Sequence, residues 1–378
     1  MFNNGIYLDY NATTPVHSAV LKKMLPFFSS NFGNAASVHF AGWQASEAIK
    51  LARENVATAI KSETSEVYFT SGATESINLA IRGVMQAYTT KGKHIISFAT
   101  EHKAVLDTLK AIESTGAEIT LLPVNFDGLP DLVQLENAIR NDTIMVIAMM
   151  ANNETGVIFP VKEMAKIAHH NNTLFFCDAT QAFGKIPVSV TDLNVDILAL
   201  SAHKTYGPKG VGALYLKRKN PRVSIIPQIT GGGHENGKRS GTLNVAGIVG
   251  LGEVACMHQT FIDFYSNEVR ALRDCFEDEV MKWGNVVIQG ARSERLPNTT
   301  NFSINGIKAD VMLASIPSLA CSTGSACSSS LPEPSHVLKA MGISDERAHA
   351  TIRVSLGIIT TKVEVNTAIS LLKNKLAY

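Results

Sequence analysis

Short apolar segments alternate with helix-like patterns along most of this chain, and this alternation constrains the fold more than any other feature. Strands separated by helices build β-α-β units, which form a mostly parallel sheet with helices on both faces. The sequence therefore predicts an α/β fold around a seven-stranded, mostly parallel sheet. Its apolar segments lie at residues 67–70, 94–98, 118–122, 144–149, 174–177, 196–200 and 211–216.

The pattern changes after about residue 252, where an amphipathic segment at 261–283 leads into sparser strands near 286–289, 300–304 and 351–355. A chain of 378 residues, 45% of them hydrophobic, can bury roughly three quarters of its unfolded surface and divide into two domains. We predict a large domain over residues 15–255. We expect residues 1–14 and 256–378 to form a smaller α+β domain.

Charge and cysteine content argue against several classes of function. Lys and Arg number 34 against 33 Asp and Glu, a net charge of +1, so no strong field attracts nucleic acid or an anionic membrane. The N-terminal residues lack a signal-peptide pattern, and the longest apolar stretch, 144–151, is far too short to span a bilayer. The five cysteines include no CxxC pair, which argues against a disulfide framework or a metal site. We expect a cytoplasmic protein with no membrane, metal or direct nucleic-acid partner.

A lysine and an acid follow two of the predicted strands. Lys204 closes the run Ser-Ala-His-Lys directly after the apolar stretch 195–200, and Asp178 ends another strand, with Gln181 three positions further on. An amine desolvated at a strand end can bond an aldehyde cofactor. Pyridoxal phosphate also needs an anionic partner for its ring nitrogen. Taken by itself, Lys204 could instead be an ordinary solvated lysine at the end of a strand.

Other polar groups are predicted to lie at the same edge of the sheet. Residues 70–75, TSGATE, follow a strand and open a helix, so that Gly72, the helix N-terminus and Thr74 can hold a phosphate, although an ordinary helix cap would look similar. His102 follows the strand 94–98 and could stack on a ring and carry protons. Asn153 follows the strand 144–149, where a turn also favours asparagine.

One cysteine lies in a run of small polar residues. Cys327 is surrounded by serine, threonine, glycine and alanine over residues 322–330, followed by two prolines. Such a run predicts an exposed, mobile loop, and an exposed thiol indicates chemical use. Cys321 lies on the apolar side of this run and is predicted to be buried and inert. A redox pair between the two cysteines is the competing interpretation.

Together these motifs resemble the cysteine desulfurases, which are pyridoxal-phosphate enzymes of fold type I. The resemblance runs from YLDYNATTP at residues 7–15 to IRVSLG at residues 352–357. It implies a homodimer, pyridoxal 5'-phosphate as cofactor, L-cysteine as substrate and a sulfur-acceptor protein as partner. The resemblance implies that Lys204 bonds the cofactor, Asp178 pairs with its ring nitrogen, Gln181 donates to its ring hydroxyl, His102 stacks on the ring and Asn153 contacts the cofactor. It implies that the phosphate is held by Ala73, Thr74, Ser201 and His203, and that Thr242 reaches the phosphate of the neighbouring subunit. It also implies that Arg353 and Asn34 bind the substrate carboxylate and that Cys327 is the nucleophile.

The implied reaction converts L-cysteine to L-alanine and leaves a persulfide on Cys327. The sequence departs from the family pattern at residues 33–37, GNAAS, where a proline is missing and the assignment of Asn34 is weakened. The end of the chain soon after its last helical pattern favours an acceptor other than that of housekeeping members. Iron–sulfur assembly, tRNA thiolation and DNA phosphorothioate modification all remain open as destinations of the sulfur.

Other functions remain as alternatives. A selenocysteine lyase or a cysteine sulfinate desulfinase could use the same scaffold, and a cofactor-free docking protein is a non-catalytic reading. A nicotinamide oxidoreductase is disfavoured because no GxGxxG motif follows the first strand.

Overall fold

The fold was analysed in a computed structural model that describes residues 5–323 and 334–376. The strands in these ranges are β1 (Ile6–Tyr7), β2 (Val67–Thr70), β3 (His94–Phe98), β4 (Glu118–Leu122), β5 (Thr143–Met149), β6 (Leu174–Asp178), β7 (Ile197–Ser201), β8 (Gly212–Leu216), β9 (Val286–Ile288), β10 (Thr299–Ile304), β11 (Leu319–Ala320) and β12 (Thr351–Ser355). The α-helices are α1 (Ser18–Met24), α2 (Pro26–Ser29), α3 (Phe40–Ala59), α4 (Ala73–Ala87), α5 (Lys103–Glu113), α6 (Leu132–Ala138), α7 (Val161–His170), α8 (Val190–Leu193), α9 (Val245–Phe264), α10 (Arg270–Met281), α11 (Ala309–Ala314), α12 (His336–Ala340), α13 (Asp345–His349) and α14 (Lys362–Asn374).

The predicted seven-stranded sheet is confirmed. Its strand order is β2-β8-β7-β6-β5-β3-β4. The pairs from β7 to β4 are parallel, and β8 runs antiparallel to both of its neighbours. The prediction of a mostly parallel α/β sheet therefore holds, with one reversed strand near an edge.

Helices cover both faces of this sheet, which explains why its strands are nearly continuous apolar runs. On β3, Ile95 packs into a cluster with residues of α4 and α5, whereas Ile96 and Phe98 pack into a second cluster with residues of α3, α7 and α9. All residues of β5, β6 and β7 are buried. Strands buried on both faces cannot show polar alternation, because both faces need apolar side chains.

A second, three-stranded antiparallel sheet has the order β12-β10-β9. The short strand β1 pairs with β11, and the segment after β1 continues along β12, where Tyr10 N–H donates to the carbonyl oxygen of Ser355 at 3.1 Å. The N-terminal segment is therefore tied to strands near the other end of the chain. The predicted domain boundary at 255–256 falls inside α9, and the domain limits stay a prediction.

The segment predicted at 261–283 is part of a longer helical rod, so its predicted start is corrected. The rod begins with α9 at Val245, continues through a π-helical stretch at Tyr265–Val269 and ends with α10. The first part of α9 is apolar on all sides because it packs between α3 and α1, and an all-round apolar pattern hides the helical period.

This rod, Val245–Met281, is long and apolar enough to cross a membrane if only length and composition are considered. However, 56% of its most apolar window is buried inside the protein. Core helices of globular proteins pass the same test.

Candidate active site

One cavity of about 590 Å³ lies at the carboxyl ends of the parallel strands. This is the edge at which open parallel sheets bind their ligands. The cavity gathers most of the residues that the sequence predicted for the site: Ala73, Thr74, His102, Asn153, Asp178, Gln181, Ser201, His203, Lys204 and Arg353.

Lys204 enters the cavity from the short turn that follows β7. Its Nζ donates to the carbonyl oxygens of Asn11 at 2.7 Å and Ala12 at 2.8 Å. Burial, with a smaller effect from the charge of Arg353, lowers the pKa of Lys204 to about 8. About a tenth of this amine is therefore uncharged at pH 7, far more than for an ordinary lysine, and a nucleophilic lysine reacts in that form.

Asp178 is the last residue of β6, and its Oδ1 accepts the backbone N–H of Thr180 at 3.0 Å. His102 is the N-cap of α5, and its Nδ1 accepts the backbone N–H of Ala104 at 3.0 Å. Partial burial lowers the pKa of His102, and the charge of Asp178 opposes that effect. The neutral imidazole thus carries its proton on Nε2.

The first turn of α4 forms a cradle for an anion. Gly72 precedes the helix, and no described side chain caps it. Gly212 of β8 approaches so closely that a β-carbon there would lie 2.7 Å from the α-carbon of Gly72. Ser201 and His203 line the cavity beside Thr74. Burial, followed by the charge of Lys204, lowers the pKa of His203 to about 4, so the ring is uncharged at neutral pH.

Arg353 reaches the cavity from β12 in the smaller sheet. Its Nη2 donates to Asp9 Oδ1 at 2.6 Å, and its Nη1 donates to the carbonyl oxygen of Asn153 at 3.1 Å. Its Nε is buried and has no hydrogen-bond partner among the described residues. A buried N–H without an acceptor is costly, which indicates that an acceptor such as a carboxylate belongs there.

Two of the predicted residues that the structure describes, Asn34 and Thr242, do not join this cavity. Asn34 lines a separate cavity beside Arg53 and Glu235, and its Oδ1 accepts the backbone N–H of Ala36 at 3.0 Å. Thr242 is exposed and does not line the Lys204 cavity. Cys327 lies outside the described residues.

The neighbouring Cys321 is a poor nucleophile. Cys321 is half-buried, so the prediction of a buried residue is corrected. Desolvation is nevertheless the main cause that raises the pKa of its thiol. Its thiolate form is therefore scarce at neutral pH.

Sequence reasoning missed two buried residues beside the cavity, Asn11 and Lys185. The carbonyl oxygen of Asn11 accepts from both Lys204 and Gln181. Lys185 donates to Gln181 Oε1 at 2.7 Å. The four-residue spacing between Gln181 and Lys185 was the one local signal that could have found this contact.

The family model for aminotransferase class V matches residues 6–367. A cysteine desulfurase IscS of Anaeromyxobacter sp. (strain Fw109-5) is 48% identical over 98% of this chain and 92% of its own length. A structure of a NifS-like protein is 37% identical, covers 99% of both chains and superposes with a TM-score of 0.92. The structure described as SspA in complex with cysteine is 36% identical, covers 94% of this chain and 99% of its own, and has a TM-score of 0.83.

Proposed function

The chain belongs to the cysteine desulfurases of the class-V aminotransferase family, and we propose that it uses pyridoxal 5'-phosphate to convert L-cysteine to L-alanine while Cys327 takes the sulfur. The observation that carries this proposal is the single cavity in which Lys204, Asp178 and Arg353 meet. An amine, an acid and a guanidinium at one strand edge are the groups that this chemistry requires.

The donor set of the cavity fits pyridoxal phosphate. The uncapped N-terminus of α4, with Thr74 and Ser201 beside it, suits a phosphate dianion. When bound, the cofactor supplies an aldehyde that bonds an amine and a ring that accepts the electron pair released at the substrate α-carbon. The residues that would hold it are Ala73, Thr74, His102, Asn153, Asp178, Gln181, Ser201, His203 and Lys204, and Asp178 would face the ring nitrogen.

The remaining steps belong to side chains of the protein. Arg353 binds the substrate carboxylate through the buried Nε–H that has no partner among the described residues. Lys204, with a pKa of about 8, accepts the proton from the substrate α-carbon and later returns it. His102 holds a proton on Nε2 at the mouth of the cavity.

Cys327 attacks the sulfur atom of the substrate as a thiolate. The carbon–sulfur bond breaks and its electron pair stays with the carbon skeleton, which takes up a proton and leaves as alanine. The substrate sulfur stays on Cys327 as a persulfide for an acceptor protein. The net charge of +1 supports a protein acceptor over direct contact with nucleic acid.

We further propose that the working form is a homodimer. Residues 25–43 expose a set of large apolar side chains, which we call the apolar segment, and such clusters mark interaction surfaces. Because Thr242 is exposed and outside the cavity of its own chain, a second copy can supply it to the phosphate site. The apolar segment consists of Leu25, Phe28, Phe32, Val38, Phe40 and Trp43, each at least 55% exposed.

The proposal is tested by replacing Cys327 with serine. Wild type should form alanine from L-cysteine, and mass spectrometry should find one added sulfur on the peptide that contains Cys327. Cys327→Ser should form almost no alanine, while the matched variant Cys321→Ser should stay near wild type. Full alanine formation by Cys327→Ser would remove the persulfide mechanism and favour a selenocysteine lyase or a sulfinate desulfinase.

A further inference from the structure

Lys185 lies beside the proposed active site, and none of the proposed steps uses it. It is fully buried. Its Nζ donates to Gln181 Oε1 at 2.7 Å and to Asn11 Oδ1 at 3.2 Å. Lysine side chains are almost never fully buried, because the lost hydration of the amine must be replaced by other contacts. A buried lysine with two directed hydrogen bonds therefore points to a defined role.

Both protonation states of Lys185 can make these hydrogen bonds. Burial lowers the pKa of Lys185 well below its usual value, and the nearby charges of Lys204 and Arg353 act in the same direction. An ammonium group has three N–H donors and a neutral amine has two. Two oxygens can therefore be served in either state.

The two contacts of the Gln181 amide select one orientation. Its Nε2 donates to the carbonyl oxygen of Asn11 at 3.0 Å, and its Oε1 accepts from Lys185. Rotating the amide by half a turn would place Oε1 against a carbonyl oxygen and Nε2 against a donor. Because Nε2 has two hydrogens, one remains for the cavity that Gln181 lines.

Asn11 is held just as firmly, so it gives Lys185 a fixed second acceptor. Its Nδ2 donates to the carbonyl oxygen of Asn153 at 3.1 Å and to Thr299 Oγ1 at 2.9 Å. Its Oδ1 must then face Lys185 as an acceptor. The polar layer below the cavity is thus a connected network in which each partner fixes the next.

We propose that Lys185 is a positioning residue that fixes the polarity of the Gln181 amide, so that an N–H and not an oxygen faces the bound cofactor. The inference rests on the proposed function, because it concerns the ring oxygen of pyridoxal phosphate. Lys185 acts through Gln181 and has no role of its own in the reaction.

The test is a pH titration of the visible absorbance of the purified, cofactor-loaded enzyme. An N–H donated to the ring oxygen stabilises its negative charge and lowers the pH at which the bound cofactor loses its proton. In Lys185→Met the amide loses one of its two constraints. The titration midpoint should rise by about one pH unit, and the dissociation constant of pyridoxal phosphate should rise several-fold.

Two further variants separate hydrogen bonding from charge. If Lys185 acts through Gln181, the double variant Lys185→Met/Gln181→Leu should titrate like Gln181→Leu alone. Lys185→Gln keeps an uncharged donor and should stay closer to wild type than Lys185→Met. If Lys185→Met fails to fold, Lys185→Gln takes its place in the test. A titration midpoint of Lys185→Gln equal to that of Gln181→Leu would then overturn the inference.

Arg295→Met is the matched control, because Arg295 forms a largely buried ion pair with Glu277 at 2.7 Å and does not line the cavity. It should lower stability and leave the midpoint unmoved. A wild type without visible absorbance would overturn the proposed function itself. A coloured wild type would overturn this inference alone if Lys185→Met left the midpoint unchanged, or if its shift persisted in the Gln181→Leu background.

Discussion

Two parts of the proposed site, which we call the floor and the outer wall, differ in how many of their residues a single chain supplies. The floor, made of Asn11, Asp178, Gln181 and Lys204, is assembled within a single chain and lines one cavity. The outer wall is incomplete, since Thr242 is exposed and Asn34 lines a different cavity. In the floor, Asp178 and Lys204 are positioned by strand ends, and Asn11 and Gln181 are held by hydrogen bonds within the chain. Thr242 and Asn34 lie on loops, whose positions depend on what packs against them.

Among substitutions in the floor, Lys204→Ala should cause the largest loss of activity. In the proposed function this amine bonds the cofactor and carries the proton, so its loss should reduce the rate of alanine formation by roughly a thousand-fold or more. Borohydride treatment followed by peptide mapping should find the cofactor on Lys204 in wild type. A stable adduct on another lysine would contradict the assignment of the floor.

The outer wall is tested by replacing apolar side chains of the apolar segment with glutamate. Phe40 and Trp43 are 73% and 61% exposed, and burying glutamates at both positions in a dimer should weaken association by roughly a hundred-fold or more. Analytical ultracentrifugation of Phe40→Glu/Trp43→Glu should show monomers with reduced activity. Val133 is 66% exposed on α6, so Val133→Glu serves as the control. If Phe40→Glu/Trp43→Glu remained dimeric, the proposal that the apolar segment forms the interface with a second copy would be contradicted.

A smaller effect concerns a buried acid, Glu154, which follows the cavity-lining Asn153 in the chain. Glu154 Oε2 accepts from Ser335 Oγ, and desolvation by burial raises the pKa of Glu154 to about 7. The folded protein therefore retains this proton at a pH where the unfolded chain has lost it. Stability from this group is fully present below the pKa of unfolded glutamate and is lost as the pH rises through about 7.

Glu154→Gln should accordingly remove most of the fall in the free energy of unfolding between acidic and weakly alkaline pH that Glu154 causes, about 3 kcal/mol. Urea unfolding at several pH values measures this difference, and the exposed Glu47→Gln serves as its control. Because Glu154 belongs to one chain, the effect should persist in Phe40→Glu/Trp43→Glu. Its disappearance in that variant would show that the second copy contributes to the floor as well.

The central strands were predictable because burial on both faces leaves apolar runs that end at polar residues. Strand β3 was predicted with the limits that the structure has, and β5 and β6 differ by one residue at one end. Asp178 and Lys204 followed from the same signal, since each comes at or just after a strand end. Among the residues on loops, His102, Asn153 and Cys327 were suggested by residue patterns, whereas Thr242 and Asn34 followed only from the family resemblance.

Residue patterns offered one hint of Lys185, its four-residue spacing from Gln181, and none of Asn11. A lysine in a sequence is most often a solvated charge, and nothing local shows that this one is buried. The contacts of Asn11 join residues that are far apart along the chain, as in its hydrogen bond from the backbone N–H to Ser355 Oγ at 2.9 Å. Such pairs depend on how the smaller sheet packs against the larger one.

That long-range hydrogen bond has a consequence for biosynthesis. Asn11 leaves the ribosome 344 residues before Ser355, a delay of roughly 17 to 70 seconds at about 5 to 20 residues per second. During this interval the N-terminal segment can bond only to residues that already exist, such as Gln181, His203 and Tyr206. The backbone acceptors of Lys204 can therefore form first, and their anchor on the smaller sheet is added only when translation is almost finished.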